Sequence, residues 1–302
     1  FRECSSLQRV SLPEIETVSN GMFYGCTSLQ DLSLPNTKVI DEWAFNGCTS
    51  LVNIDVPNAL EVRCKAFNEC TSLVSINLPM VTSVDDQTFL SCSSLASIRL
   101  VSAKTVGFSA FDSCTSLKMV EMPNVGKICS YAFKECKSLT TLEVSSVSEV
   151  ETGFLSGCVS LQTVSLPHVR QICTYSFSEC TSLRVLSIPL ANLVGESCVT
   201  QCASLKVIET SADAGDFKCG LWRCKEEKLC PICRGDLGIC LQRGQVYKFD
   251  CRLETAAAEQ QRRLLENRRR LGCLAVQLSQ IKKLDDLLEG VCEIIGDEMG
   301  NE

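Results

Sequence analysis

Ala44-Phe45-Asn46-Gly47-Cys48-Thr49-Ser50-Leu51-Val52-Asn53-Ile54-Asp55-Val56-Pro57 is the stretch that decides the architecture, because the chain repeats it. Cysteine returns every 22 residues, at Cys4, Cys26, Cys48, Cys70, Cys92, Cys114, Cys136, Cys158, Cys180 and Cys202. Ten copies without an insertion point to a stack of identical units. A serine stands two residues after each of these cysteines, from Ser6 to Ser204, and a leucine three after, from Leu7 to Leu205. Leu32, Leu34, Ile40, Ala44 and Phe45 keep the same frame, and Pro35 closes the stretch Leu29 to Leu34. The unit reads F-x-x-C-x-S-L-x-x-I-x-L-P, and seven of the eight prolines fall on its last position.

Alternation at Leu29, Leu32 and Leu34 is strand geometry, and a proline that cannot donate to a ladder ends it. One coil of this length has too few apolar side chains to offset the ordering of its own backbone. Stacking shares each apolar face with two neighbours. Parallel strands about 4.8 Å apart then make ten coils roughly 45 Å long.

With the segment Ala44 to Leu51 as its type unit, residues 1–211 resemble leucine-rich repeats of the BspA-like, or Treponema pallidum, type. The resemblance implies an α/β repeat solenoid, parallel-stranded and right-handed. The solenoid reads as N-terminally truncated, and the residues beyond it read as a small Cys-rich module at 212–251 and a C-terminal α-helix at 252–302. Members of this family are often surface or secreted proteins of bacteria and protists that bind host or matrix proteins, so the resemblance also implies binding. The chain departs from the unit at Leu155 and Val199 in place of phenylalanine, and at Val101, Ser145 and Ser211 in place of proline.

Composition narrows the function. The 302 residues are 45% hydrophobic, which excludes a mainly disordered chain. A net charge of −7 argues against general affinity for nucleic acid or anionic lipid. No run of eighteen apolar residues is long enough to span a membrane. The first residue, Phe1, falls in mid-repeat, which suggests a fragment whose targeting segment is out of view. The register cysteines hold one apolar position and read as small buried hydrophobes, pointing in parallel and poorly placed for disulfides. Cys64, Cys129 and Cys173 lie off register and read as isolated thiols.

Catalysis at neutral pH usually draws on histidine, and the chain has one, His168, which reads as a solvated turn residue after Pro167. Neither G-x-S-x-G nor G-x-x-x-x-G-K occurs. The expectation is therefore a protein-protein interaction scaffold rather than an enzyme. Its binding residues would be the outward side chains of the concave sheet: Arg9 and Ser11, Asp31 and Ser33, Asn53 and Asp55, Ser75 and Asn77, Ser97 and Arg99, Met119 and Glu121, Thr141 and Glu143, Thr163 and Ser165. The same residues also suit a merely soluble sheet face.

After Ser211 the frame is lost, and Ala212 to Asp216 reads as a linker. Cys219, Cys224, Cys230 and Cys233, spaced C-x4-C-x5-C-x2-C, suit one tetrahedral Zn2+, with disulfides or free thiols as alternatives. The segment is similar to the second half of a RING finger, with Leu221 where that family has histidine, so a ubiquitin-ligase-like substrate-recognition protein is one alternative reading. A secreted or surface adhesin is the other. Leu264, Leu271, Leu274, Leu278, Ile281, Leu288, Val291 and Ile295 have coiled-coil spacing and predict either a homodimer or a helix packed on its own solenoid. The many unpaired cysteines lean towards a reducing, intracellular compartment.

Overall fold

In the computed structural model residues 1–210 are described, and these are the ten repeats. Among the described residues each coil contributes two short strands, except the first and the last, which contribute one each. In chain order they are β1 (Thr17–Val18), β2 (Asp31–Ser33), β3 (Val39–Ile40), β4 (Asn53–Asp55), β5 (Glu61–Val62), β6 (Ser75–Ile76), β7 (Ser83–Val84), β8 (Ser97–Arg99) and β9 (Thr105–Val106). There follow β10 (Met119–Glu121), β11 (Lys127–Ile128), β12 (Thr141–Glu143), β13 (Glu149–Val150), β14 (Thr163–Ser165), β15 (Gln171–Ile172), β16 (Val185–Ile188), β17 (Leu193–Val194) and β18 (Val207–Thr210).

All pairing is parallel and one repeat apart. The odd strands β1 to β13 form one ladder, with β15 and β17 continuing as a pair, while the even strands pair as β2-β4-β6, β8-β10-β12 and β14-β16-β18. The register follows the 22-residue frame, as in Leu32 opposite Ile54 and Val120 opposite Leu142. The parallel-stranded solenoid expected from the repeat is therefore present. The α half of the α/β expectation is corrected: among the described residues there is no helix, and the C-terminal helix of 252–302 and the Cys-rich module of 212–251 lie outside them.

The reason is visible between the two strands of a coil, where a run of overlapping turns divides its amides between two uses. Gly21, Phe23 and Gly25 donate to the carbonyls of Glu42, Ala44 and Asn46 in the next coil at 2.8–2.9 Å. The amides between them, on Met22, Tyr24 and Cys26, close turns on Ser19, Gly21 and Phe23. An α-helix spends every interior amide on itself, so a run that shares alternate amides with a neighbour cannot be one. The pattern recurs at Trp43, Phe45 and Gly47, and at Lys65, Phe67 and Glu69.

The geometry needs positive φ at two positions per coil, and fourteen of those positions hold residues other than glycine, among them Trp43, Tyr131 and Glu69. Such a conformation costs roughly 1–2 kcal/mol for an L-residue. The twelve of them from Glu3 to Glu179 each donate an inter-coil hydrogen bond that returns about 1 kcal/mol, so the backbone ladder and packing together hold the conformation.

Inside, the register phenylalanines stack. Phe1, Phe23, Phe45, Phe67, Phe89, Phe111 and Phe133 follow one another at 5.2–5.4 Å between ring centroids, within 7° of parallel. The register cysteines from Cys26 to Cys202 are buried beside them. Each thiol donates to the carbonyl of the preceding coil's phenylalanine position, as Cys48 to Phe23 and Cys92 to Phe67, both at 3.1 Å. Cys4 does not follow the expectation of burial. It lies in the terminal coil, stacked on one side only, and is exposed.

Candidate functional site

The even strands are two to four residues long, and their central side chains point inward. Leu32, Ile54, Ile76, Ile98, Val120, Val164 and Leu186 are buried, forming an apolar floor. A strand reverses side with every residue, so the flanking positions must face out. Asp31, Ser33, Asn53, Asp55, Ser75, Asn77, Ser97, Arg99, Met119, Thr141, Glu143, Thr163 and Ser165 are exposed, and Glu121 is half-buried.

Register then arranges them in two columns. Asp31 lies opposite Asn53 and Ser97 opposite Met119, while Arg99 lies opposite Glu121 and Glu121 opposite Glu143. The Asn53 amide donates to the Asp31 carboxylate at 3.3 Å, and the Arg99 guanidinium pairs with Glu121 at 3.0 Å. With Arg99 about two-thirds exposed, that pair contributes well under about 1 kcal/mol and serves to orient the side chains. Asp31, Ser33, Asn53, Asp55, Ser75 and Asn77 rim a shallow hollow over Leu32, Ile54 and Ile76. The face offers hydrogen-bond donors, acceptors and carboxylates over a rigid floor, a surface for recognition.

The thiols are placed differently. Burial pushes the Cys48 thiol up to about 12, with Cys26 adding to it, and burial likewise raises Cys70, Cys92, Cys114 and Cys136 well above the ordinary thiol value. Cys64 and Cys129 line a hollow on the odd-strand side with Asp85, Asp86 and Lys127. Burial, together with nearby carboxylates, raises both of them too. A nucleophilic thiol needs the opposite shift, so none of these is activated. His168 is exposed in the turn after β14. Among the described residues no cluster of histidine, cysteine and carboxylate side chains is arranged to hold a metal. Cys219, Cys224, Cys230 and Cys233 lie outside them.

What the repeat template hid is a set of aromatic side chains on the run of turns: Tyr24, Trp43, Phe108, Tyr131 and Tyr175. They interrupt no register position, so a search by period passes over them. The signal that finds them is that they are the aromatics of residues 1–210 left over once the register phenylalanines, Phe177 included, and Phe154 are assigned.

Among solved structures, a T. pallidum leucine-rich repeat protein is 26% identical, over 63% of this chain and 72% of that one, with a TM-score of 0.35. A leucine-rich cell surface protein of Faecalibacterium prausnitzii is 20% identical over 67% and 78%, with a TM-score of 0.30. A leucine-rich repeat protein of Bacteroides ovatus is 17% identical over 68% and 81%, with a TM-score of 0.35. No curated protein matches the sequence. The model of the BspA type leucine-rich repeat region, six copies long, matches residues 1–118 and again 104–219. The ten coils, their 22-residue register and this match along more than half of its length together place the chain in the BspA-type leucine-rich repeat family.

Proposed function

We propose that the chain is a non-enzymatic, protein-binding scaffold and that its even-strand face takes the partner. The observation that supports this most directly is the pair of in-register columns of outward polar side chains, Asp31 to Thr163 and Ser33 to Ser165, above an unbroken apolar floor. Side chains held by three backbone ladders present their groups with little ordering cost on binding. Carboxylates at Asp31, Asp55, Glu121 and Glu143 outnumber the one cation, Arg99, along this stretch, so a partner with basic side chains fits.

The tail completes the reading: Cys219, Cys224, Cys230 and Cys233 hold one Zn2+, and the helix that follows joins two copies. On location, burial alone keeps the register thiols reduced, so they do not require a reducing compartment. Surface display therefore stands beside the intracellular reading.

The face is tested by placing a photo-crosslinker at Asn53 or Thr141, and for contrast at Thr105 or Gln171 on the odd strands, in the full chain. Adducts with one common protein from Asn53 and Thr141 alone are expected. Equal yields from both faces, or none from the even strands, overturn the assignment.

A further inference from the structure

We propose that the solenoid is hinged between its seventh coil, that of Cys136, and its eighth, that of Cys158. The run of turns is the pivot, and the strand sides of the two coils part and close as a mouth that Phe154 holds open. Three discontinuities fall on this one junction. The ladder of odd strands ends at β13 and resumes with β15, and the ladder of even strands stops at β12 and resumes with β14. The column of stacked rings ends there too, at Phe133. Between coils four and five the even ladder also pauses, from β6 to β8, but there β7 pairs with β9 and Phe67 stacks on Phe89.

The hydrogen bonds flanking the strands agree. In coil seven the amides of Thr140, Ser148 and Glu151 donate to Lys118, Gly126 and Ile128 of coil six, each at 3.0 Å. In coil nine those of Arg184, Asn192 and Gly195 donate to Gln162, Arg170 and Ile172 of coil eight at 2.6–3.0 Å. The equivalent amides of coil eight, on Gln162, Arg170 and Cys173, reach no backbone carbonyl of coil seven. Leu142, at the centre of β12, is partly exposed, whereas Val120 and Val164 to either side of it are buried. What crosses the junction intact is the ladder of the run of turns: Tyr131, Phe133 and Glu135 donate to Thr152, Phe154 and Ser156 at 2.7–2.9 Å. The Cys158 thiol adds a bond to the Phe133 carbonyl at 3.2 Å.

The pivot has a backbone suited to turning. Coil eight holds glycine at both left-handed positions, Gly153 and Gly157, and among the described residues only coil two does the same. Phe154 supplies the wedge. It fills a slot that holds Ala132 in coil seven and Ser176 in coil nine, and overfilling of this kind is relieved by a shift of backbone. The run of turns keeps its bonds, so the shift falls on the strand sides. Coils one to seven and eight to ten then swing as two rigid arms about one retained ladder. Thr141 and Glu143 lie on one lip of the mouth and Thr163 and Ser165 on the other, so the swing sets the spacing of the even-strand columns. The hinge itself does not depend on what binds there.

The test uses the full chain with spin-labelled unnatural side chains, which leave the cysteines untouched, placed in pairs four coils or about 20 Å apart. Ser75 with Thr163 spans the junction of coils seven and eight, and Asn53 with Thr141 does not. Both pairs span that of coils four and five. Pulsed electron paramagnetic resonance is expected to give a distance distribution about twice as broad for the first pair as for the second. Hydrogen exchange is expected to be roughly tenfold or more faster at Gln162, Arg170 and Cys173 than at Thr140, Ser148 and Glu151. Phe154→Ala with Leu155→Phe, which restores the order of Ala132-Phe133, should narrow the first distribution to the width of the second. Equal widths, or equal exchange at the two sets of amides, overturn the hinge. A double variant that keeps its urea midpoint and stays broad overturns it as well, since the ring would not be what holds the mouth open. The exchange measurement needs no substitution, so it decides even where the double variant fails to fold.

Discussion

Coils two to seven and coils eight to ten solve the same packing problem with different side chains. From Phe23 to Phe133 the rings stack in one continuous column. At the next coil the pair Ala132-Phe133 becomes Phe154-Leu155, and the column ends. Phe154 takes the slot used elsewhere by Ala44, Ala66 and Ala110, and meets Phe177 edge-on at 5.6 Å and 77°. Both Phe154 and Leu155 are fully buried. Meanwhile the backbone ladder runs through unchanged, with Phe133 donating to Phe154, Leu155 to Ser176 and Phe177 to Cys198 at 2.7–2.9 Å. The coil is thus defined by its hydrogen bonds, and side chains are exchangeable so long as the pair of slots is filled.

That distinction is open to measurement. The largest effect should come from Phe89→Ala, in mid-stack between two parallel rings, at about 3–5 kcal/mol by urea denaturation. Leu155→Ala, where no ring pair is lost, should cost less, about 2–4 kcal/mol. Equal costs would show that stacking adds nothing to burial. Leu95→Ala, at a fully buried leucine outside the stack, should also fall within about 2–5 kcal/mol.

Next in size is Cys92→Ala, at about 1 kcal/mol. The Phe67 carbonyl that loses the thiol keeps its bond from the Cys70 amide at 3.2 Å, so it is not left unsatisfied. The thiols also set a pH dependence. Burial holds Cys48, and likewise Cys198 and Cys202, up at about 12, while the same thiols in the unfolded chain ionise near 9. Above 9 the unfolded chain therefore binds fewer protons than the folded one, and stability falls as pH rises from 9 towards 12. A urea midpoint constant over that window would contradict the burial of the thiols. Smallest of all is Ser97→Ala, exposed on β8, which should stay within about 0.5 kcal/mol; a loss comparable with Leu95→Ala would reverse the assignment of faces.

How much of this was legible in the sequence follows from what a period can and cannot carry. The register positions were readable because Cys48, Leu51, Ile54 and Val56 recur with one spacing. The outward columns followed from Ile54 pointing in. The odd strands were not readable, since pairs such as Glu61–Val62 bury one side chain each and leave no alternation to count. The run of turns read as helix only by analogy with other repeats. Its left-handed positions are masked because Trp43, Lys65, Gln87 and Glu69 stand where glycine would have announced them. Leu155 read correctly as replacing the register phenylalanine, but the period gave no sign that a ring, Phe154, fills the slot before it, which alanine holds in other coils.

The three inter-coil ladders also decide how the molecule answers to force. Tension along the axis pulls on the hydrogen bonds of a whole coil together, and on the side chains packed between that coil and the next, while each further coil is held by its own set of the same contacts. Such a rod should give way one coil at a time, each release paying out about 70 Å of slack chain. Stretched between two anchors, the repeat array would act as a shock absorber with as many steps as it has coils, each step recovering when the load is relaxed.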